Sequence, residues 1–242
     1  MRWALAIFVV RCALAQTADP VVGKRLFESQ CALCHGQAGG GGRGPNLHRP
    51  KLNRAPDDAD LAKVISQGIQ PEMPGAWQLS PREVKSLVAY VRTLGSIPLE
   101  PLPGDPARGE SLFKTKGCGA CHMIRGQGSG YGPELTDIGS KRSAAFLRES
   151  LVAPEAVVPD DFVMVELVTA SGTTIRGVRM NEDTFSIQIK EASGELHSYR
   201  KSVLKDLRKL RGKSPMPSYE GALKADEMND LIAYLASLRG NS

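Results

Sequence analysis

Apolar residues recur at helical spacing in two widely separated stretches. In "SPREVKSLVAYVRTL", Leu87, Tyr90, Val91 and Leu94 fall on one face, and in "KADEMNDLIAYLASL" Leu231, Tyr234, Leu235 and Leu238 do the same. Each stretch predicts an amphipathic helix with a tyrosine at a similar place. Ser80 before Pro81, with Glu83 three residues on, marks the start of the first. A further helical run, "DADLAKVISQGI", precedes it. The period changes between the two stretches. "FVMVELVT", "TTIRGVRM", "TFSIQIK" and "ELHSYR" are short β-rich runs punctuated by Ser171-Gly172, Asn181-Glu182-Asp183 and Ser193-Gly194. They predict a four-stranded antiparallel meander over about residues 160–213, which "SVLKDL" could close into a small barrel.

The polar punctuation around these elements repeats. Gly23-Lys-Arg-Leu-Phe27 and Gly109-Glu-Ser-Leu-Phe113 each precede a Cys-x-x-Cys-His unit: Cys31, Cys34 and His35, then Cys118, Cys121 and His122. A glycine-rich loop follows each, ending in Gly44-Pro45-Asn-Leu47 or Gly132-Pro133-Glu-Leu135. Met73-Pro74 and Met216-Pro217 then come before the tyrosine-bearing helices. The chain therefore reads as two copies of one small α-domain. They are joined by the proline-rich segment 98–106, a semi-rigid spacer. His35 to Met73 spans 38 residues and His122 to Met216 spans 94, so the β-rich run is an insertion into the second copy.

Composition adds three things. Aromatics are only 5% of the 242 residues, thin for two cores, and a large non-protein hydrophobe would fill the deficit. The start, with Arg2, the apolar run Trp3–Val10 and the triplet Ala13-Leu14-Ala15, reads as a secretory signal over residues 1–15. Export implies an oxidising compartment such as the periplasm, with Cys12 discarded and the other four cysteines all in the two Cys-x-x-Cys-His units. No segment is long enough to span a bilayer once the signal is removed. The formal net charge of +5, or +3 without Arg2 and Arg11, demands no polyanionic partner. The basic run "RKSVLKDLRKLRGK" has no stacking motif, which argues against nucleic acid. "GGGGRG" lacks the Gly-Lys-Ser/Thr of a phosphate loop.

Three chemistries use paired cysteines. A redox dithiol gives no reason for the following histidine. A zinc ribbon would space its cysteine pairs closely, whereas Cys118 stands 84 positions after Cys34, with the proline linker between them. Covalent haem attachment uses every part: two thiols add to the porphyrin vinyl groups, and the adjacent histidine binds the iron. Two such units imply two covalently attached haem c groups. Met73 and Met216 are the candidate sixth ligands, and ligation is favoured over the plainer reading of a methionine filling a core gap. Met123 cannot reach the opposite haem face, Met228 reads as core, and Met164 and Met180 lie in the meander. His48 reads as a surface or propionate neighbour and His197 as structural. Trp77 could pack on a haem or in the core.

On these motifs each copy resembles a class I c-type cytochrome domain, over residues 20–95, and over 106–158 plus 214–239. The resemblance implies a mainly α fold of two such domains in tandem, 16–97 and 107–239, the second interrupted by the small antiparallel β meander or barrel. It also implies a tight crossing of first and last helices through Gly23, Phe27 and Tyr90, and through Gly109, Phe113 and Tyr234. The carbonyls of Pro45 and Pro133 would accept hydrogen bonds from the axial histidines. The second copy is also similar to a haem-binding domain of large bacterial proteins fused to sugar-dehydrogenase-like propellers. No catalytic constellation is readable. The function expected is electron transfer between a redox-protein donor, such as a periplasmic dehydrogenase, and a downstream cytochrome or oxidase. A dihaem enzyme of peroxidase or thiosulfate-oxidising type, with one exchangeable haem ligand, is the alternative. The meander could dock a partner. Oligomeric state is not legible.

Overall fold

The computed structural model describes residues 18–70, 72–98 and 101–240. The expected signal and Cys12 lie outside the described residues, as do Pro71 and the linker residues Leu99 and Glu100. Two compact units divide the chain. One contains the described residues to Ala32 with Arg49–Ile97, and the other contains Leu33–His48 with the chain from Pro98 on.

In the first unit, α1 (Pro20–Gln30) starts where the Asp19 carboxylate accepts from the Val21 N–H and Pro20 supplies a preset φ. The short helix α2 (Ala32–His35) starts at the last residue of this opening segment, and its remaining residues belong to the second unit. The α3 helix (Asp58–Gln67) is capped by Asp57 and stopped by Gly68, whose φ of 74° suits glycine. Two two-residue strands, β1 (Gly68–Ile69) and β2 (Met73–Pro74), pair antiparallel. The α4 helix (Pro81–Leu94) begins at Ser80. The expected box is present: the Ser80 N–H donates to Glu83 Oε2 at 2.8 Å, and the Glu83 N–H donates to Ser80 Oγ at 3.4 Å. Its buried Val84, Leu87, Val88, Val91 and Leu94 join Phe27, Leu61 and Ile65 as the core. Helix α1 crosses α4 at Gly23, where a methyl group would collide with the Ser86 carbonyl oxygen. The Phe27 and Tyr90 rings tilt against each other with centroids 5.4 Å apart.

The second unit repeats the crossing. The α5 helix (Pro106–Thr115), capped by Asp105, precedes β3 (Met123–Ile124) and β4 (Gln127–Gly128), a minimal hairpin. Two helices come next, α6 (Ile138–Lys141) and α7 (Ala144–Val152). Five strands follow: β5 (Met164–Val168), β6 (Thr174–Glu182), β7 (Ser186–Lys190), β8 (Leu196–Arg200) and β9 (Asp206–Leu210). The chain closes with α8 (Ala225–Ser237). Helix α5 crosses α8 at Gly109, against the Asp230 carbonyl, and the Phe113 and Tyr234 rings lie 5.8 Å apart. Phe113, Leu147, Leu151, Met228, Leu231 and Leu235 belong to one core.

The inserted sheet has the antiparallel order β8-β7-β6-β5-β9. The meander is thus five-stranded rather than four-stranded. The expected closing segment instead leads into β9, which returns to pair with β5, Leu167 facing Leu207. Strands β8 and β9 end up as opposite edges of the sheet. It has its own small core of Val165, Leu167, Ile187 and Ile189. Glu166, on the opposite face of β5 from that core, meets Arg176 across β6 and Arg208 across β9. Among the described residues no helix is long and apolar enough to cross a membrane.

Candidate haem sites

Each Cys-x-x-Cys-His unit ends a helical turn and is clasped by the loop that follows. In the first, the Gly44 N–H donates to the Cys34 carbonyl at 2.8 Å and the Gly41 N–H to the His35 carbonyl at 2.7 Å. Gly36, Gly39 and Gly41 all have positive φ, so the glycine run is what lets the chain double back over the histidine. In the second, the Gly132 N–H donates to the Cys121 carbonyl at 2.7 Å. The same glycine closes both loops because no side chain fits: a methyl at Gly44 would sit 3.0 Å from the His35 ring, and one at Gly132 would sit 2.8 Å from the His122 ring.

The prolines that follow take up the histidines. His35 Nδ1 lies 3.0 Å from the Pro45 carbonyl oxygen, and His122 Nδ1 lies 2.8 Å from that of Pro133. A carbonyl only accepts, so Nδ1 carries the proton and Nε2 carries the lone pair that a metal takes. Burial pushes both imidazoles below the ordinary histidine value, against the opposing pull of these carbonyls, and so favours the neutral, ligating form. A pair of half-buried thiols two residues apart, beside an oriented neutral imidazole, is a donor set that fits haem c. Cys31, Cys34 and His35 would hold one group, and Cys118, Cys121 and His122 the other.

The methionines sit in locally pinned segments. Met73 lies on β2 opposite Ile69, and just beyond it the Ala76 N–H donates to the Ile65 carbonyl at 2.8 Å, tying the segment to α3. Met216, half-buried, packs against the core of the second unit, as does Cys118. Its segment is tied to α7: the Tyr219 N–H donates to the Leu151 carbonyl at 2.8 Å and Ser218 Oγ to that of Val152 at 2.7 Å. Among the other methionines, Met228 is core, Met180 is exposed and Met123 lies in β3. His48 Nε2 meets the Ala38 carbonyl at 2.8 Å and so closes the glycine loop. His197 stacks on Tyr199 and meets Glu191. Trp77 is 86% exposed and is not a core residue.

Three kinds of contact were not read from the sequence. Tyr219 hydrogen-bonds the Cys118 thiol, whose pKa is raised chiefly by burial. Tyr131 is buried beside Gly132 and donates its hydroxyl to Met164 Sδ at 3.7 Å. At the helix crossings a polar side chain receives the first helix's cap N–H: Asp19 N–H to Ser86 Oγ at 3.1 Å, and Asp105 N–H to Asp230 Oδ1 at 2.6 Å. Overlaying the two halves gives the signal for the last, since Ser86 and Asp230 each stand four residues before the helix tyrosine.

Residues 18–91 match the family described as "Cytochrome C oxidase, cbb3-type, subunit III", and residues 106–183 match "Cytochrome c". The second match runs from α5 through the Cys118–His122 unit into the sheet. The chain is 37% identical over 82 residues to the cbb3-type cytochrome c oxidase subunit FixP of Bradyrhizobium diazoefficiens, covering 32% of this chain and 28% of that one. It is 32% identical over 129 residues to the subunit CcoP of Rubrivivax gelatinosus, covering 51% and 41%. It thus spans less than half the length of either relative. A solved structure, "Dihydro-heme d1 dehydrogenase NirN in complex with DHE", aligns at 21% identity with a TM-score of 0.31, over 74% of this chain and 30% of that one, too distant to bear on function. With a family match in each half and the same thiol–imidazole donor set in both, the chain carries two c-type cytochrome domains in tandem, with two covalently attached haem c groups.

Proposed function

We propose that this chain is an exported dihaem electron carrier. It takes electrons from a periplasmic donor, such as a dehydrogenase, and passes them to a downstream cytochrome or oxidase. Haem iron supplies the one-electron chemistry when bound. The chain's own residues fix the ligands and limit rearrangement. We assign Cys31 and Cys34, and Cys118 and Cys121, to covalent attachment. His35 and Met73 are the axial ligands of the first iron, and His122 and Met216 those of the second. The domains run over 16–97 and 107–239, with the linker at 98–106, the insertion at 160–213 and the signal at 1–15.

The observation that carries this reading is the His Nδ1–Pro carbonyl bond, present in both halves at 3.0 and 2.8 Å. Such a bond fixes ring orientation and raises the basicity of the ligating nitrogen. Each half also offers a methionine on a segment tied to a neighbouring helix, and a thioether opposite histidine favours ferrous iron and raises the potential. A sixth position taken by sulfur leaves no site for a substrate, which favours a carrier over the peroxidase-type alternative. The relatives are named as subunits of cbb3-type oxidases, which favours a terminal oxidase as acceptor.

Replacing Met73 and Met216 singly by Ala tests the ligation. Each change should remove the sulfur-to-iron charge-transfer band at the red end of the spectrum from one haem and lower that haem's potential, leaving the other alone. A second haem already high-spin in the unaltered protein would instead favour the enzyme.

A further inference from the structure

The second unit differs from the first at the position before its ring-packing glycine. The first has Arg43-Gly44-Pro45 and the second has Tyr131-Gly132-Pro133. Arg43 is exposed, whereas Tyr131 is 6% exposed. The Tyr131 hydroxyl donates to Met164 Sδ at 3.7 Å, and Met164 opens β5, the strand at which the inserted sheet begins. Met164 is held in turn by register with Val178 on β6 and Leu210 on β9. On the other side, Gly132 lies flush with the His122 ring and donates to the Cys121 carbonyl, and Pro133 accepts from His122 Nδ1. Lys190 on β7 reaches towards the same loop: a methyl at Gly130 would stand 3.7 Å from its Nζ. A continuous chain of contacts therefore runs from the start of β5, a strand paired on both sides, to the imidazole of one haem unit.

We infer that Tyr131 is a positioning residue that couples the inserted sheet to the His122 loop, so that the sheet braces the imidazole of the second haem and sets its potential apart from that of the first. The inference rests on His122 being the axial ligand. An imidazole's hydrogen bond and orientation tune the iron it binds. The loop segment Gly128-Ser-Gly-Tyr-Gly-Pro133 has few side chains with which to hold that orientation by itself. The first copy lacks the insertion and has exposed Arg43 at the matching position, so it serves as an internal reference in the same molecule.

The test uses the full dihaem protein with Tyr131→Phe, Met164→Leu and both together. Tyr131→Phe keeps the ring and its packing and removes only the donor; Met164→Leu keeps the volume and removes the sulfur. Two quantities are read: the midpoint potential of each haem, and the amide exchange rates of Gly132 and Leu135. Each single change should shift the second haem's potential, leave the first unmoved, and speed exchange at these amides by about fivefold, as expected on losing one modest hydrogen bond. The double variant should add nothing to either single one, because both cut the same link. If either single variant keeps the second potential and the loop protection of the parent, the brace is overturned. Hyperfine-shifted His122 ring protons in the oxidised parent check the ligation separately. Their absence would end the reading on which the brace depends, whatever the variants do.

Discussion

At Gly23 and Gly109 the chain needs hydrogen where every other residue type brings a carbon. A methyl at either position would run into a backbone carbonyl oxygen, that of Ser86 or Asp230, and no side-chain rotation relieves it. Gly109→Ala should therefore push α5 away from α8, opening the Phe113–Tyr234 contact. The loss should be about 2–3 kcal/mol, the upper part of the range for overpacking, read as a lower denaturant midpoint with helix content kept. Ordinary helix propensity predicts the opposite sign, since Ala is favoured over Gly by roughly 1 kcal/mol inside a helix. A stabilised variant would therefore show that the two helices yield. These glycines were legible in the sequence because the motif Gly-x-x-Leu-Phe recurs before each Cys-x-x-Cys-His. The polar contacts beneath them were not legible. Ser86 and Asp230 read as ordinary polar positions on a helix, and only the crossing turns them inward to receive the N–H of Asp19 or Asp105.

At the scale of elements, α4 could be read from period and capping and α8 from period, while β9 could not. Its segment, Asp206–Leu210, has only Leu207 and Leu210 as apolar residues, and its Arg208 and Lys209 suggest a solvated turn. Leu207 packs on the sheet's small core, and the cations beside it meet charge already placed on the sheet. Arg208 meets Glu166, and Lys209 Nζ lies 2.7 Å from Glu182 Oε2. Lys201 at 2.8 Å and Arg179 at 3.3 Å complete a cage of three cations around Glu182. Burial alone would raise the Glu182 carboxyl, but the bonds from Lys201, Lys209 and Arg179 outweigh it and hold it at about 2, below its ordinary 4.5. A carboxylate with a depressed folded pKa contributes stability above its ordinary value, and that stability is lost as pH falls from about 4.5 through about 2. Glu182→Gln should thus be less stable than the parent at neutral pH, lose less on acidification across that window, and approach the parent near its lower end. Unfolding midpoints measured at steps from pH 7 to pH 2 decide this. Parallel curves for the two proteins would mean that Glu182 does not titrate as its surroundings require.

At the scale of the whole chain, the question is whether the insertion is part of the second domain's fold or an addition to it. Two features favour an addition. The sheet's core of Val165, Leu167, Ile187 and Ile189 is separate from the helical core around Phe113 and Leu231. The chain entering the sheet and the chain leaving it are also brought together at its base. The Ser218 hydroxyl donates to the Val152 carbonyl, and the Tyr219 N–H donates to that of Leu151. A gap already closed by such contacts can be spanned by a short flexible link, since closing a short loop costs little extra entropy. Replacing residues 160–213 by a few Gly and Ser residues should therefore keep the α5–α8 crossing and both covalent haems, seen as unchanged haem stoichiometry per chain and retained helical circular dichroism. The second haem's potential should move in the direction produced by Tyr131→Phe, because Tyr131 loses Met164 in both cases. If the shortened chain attaches only one haem, the sheet is needed for the second domain to fold, and its core and the helical core act as one cooperative unit.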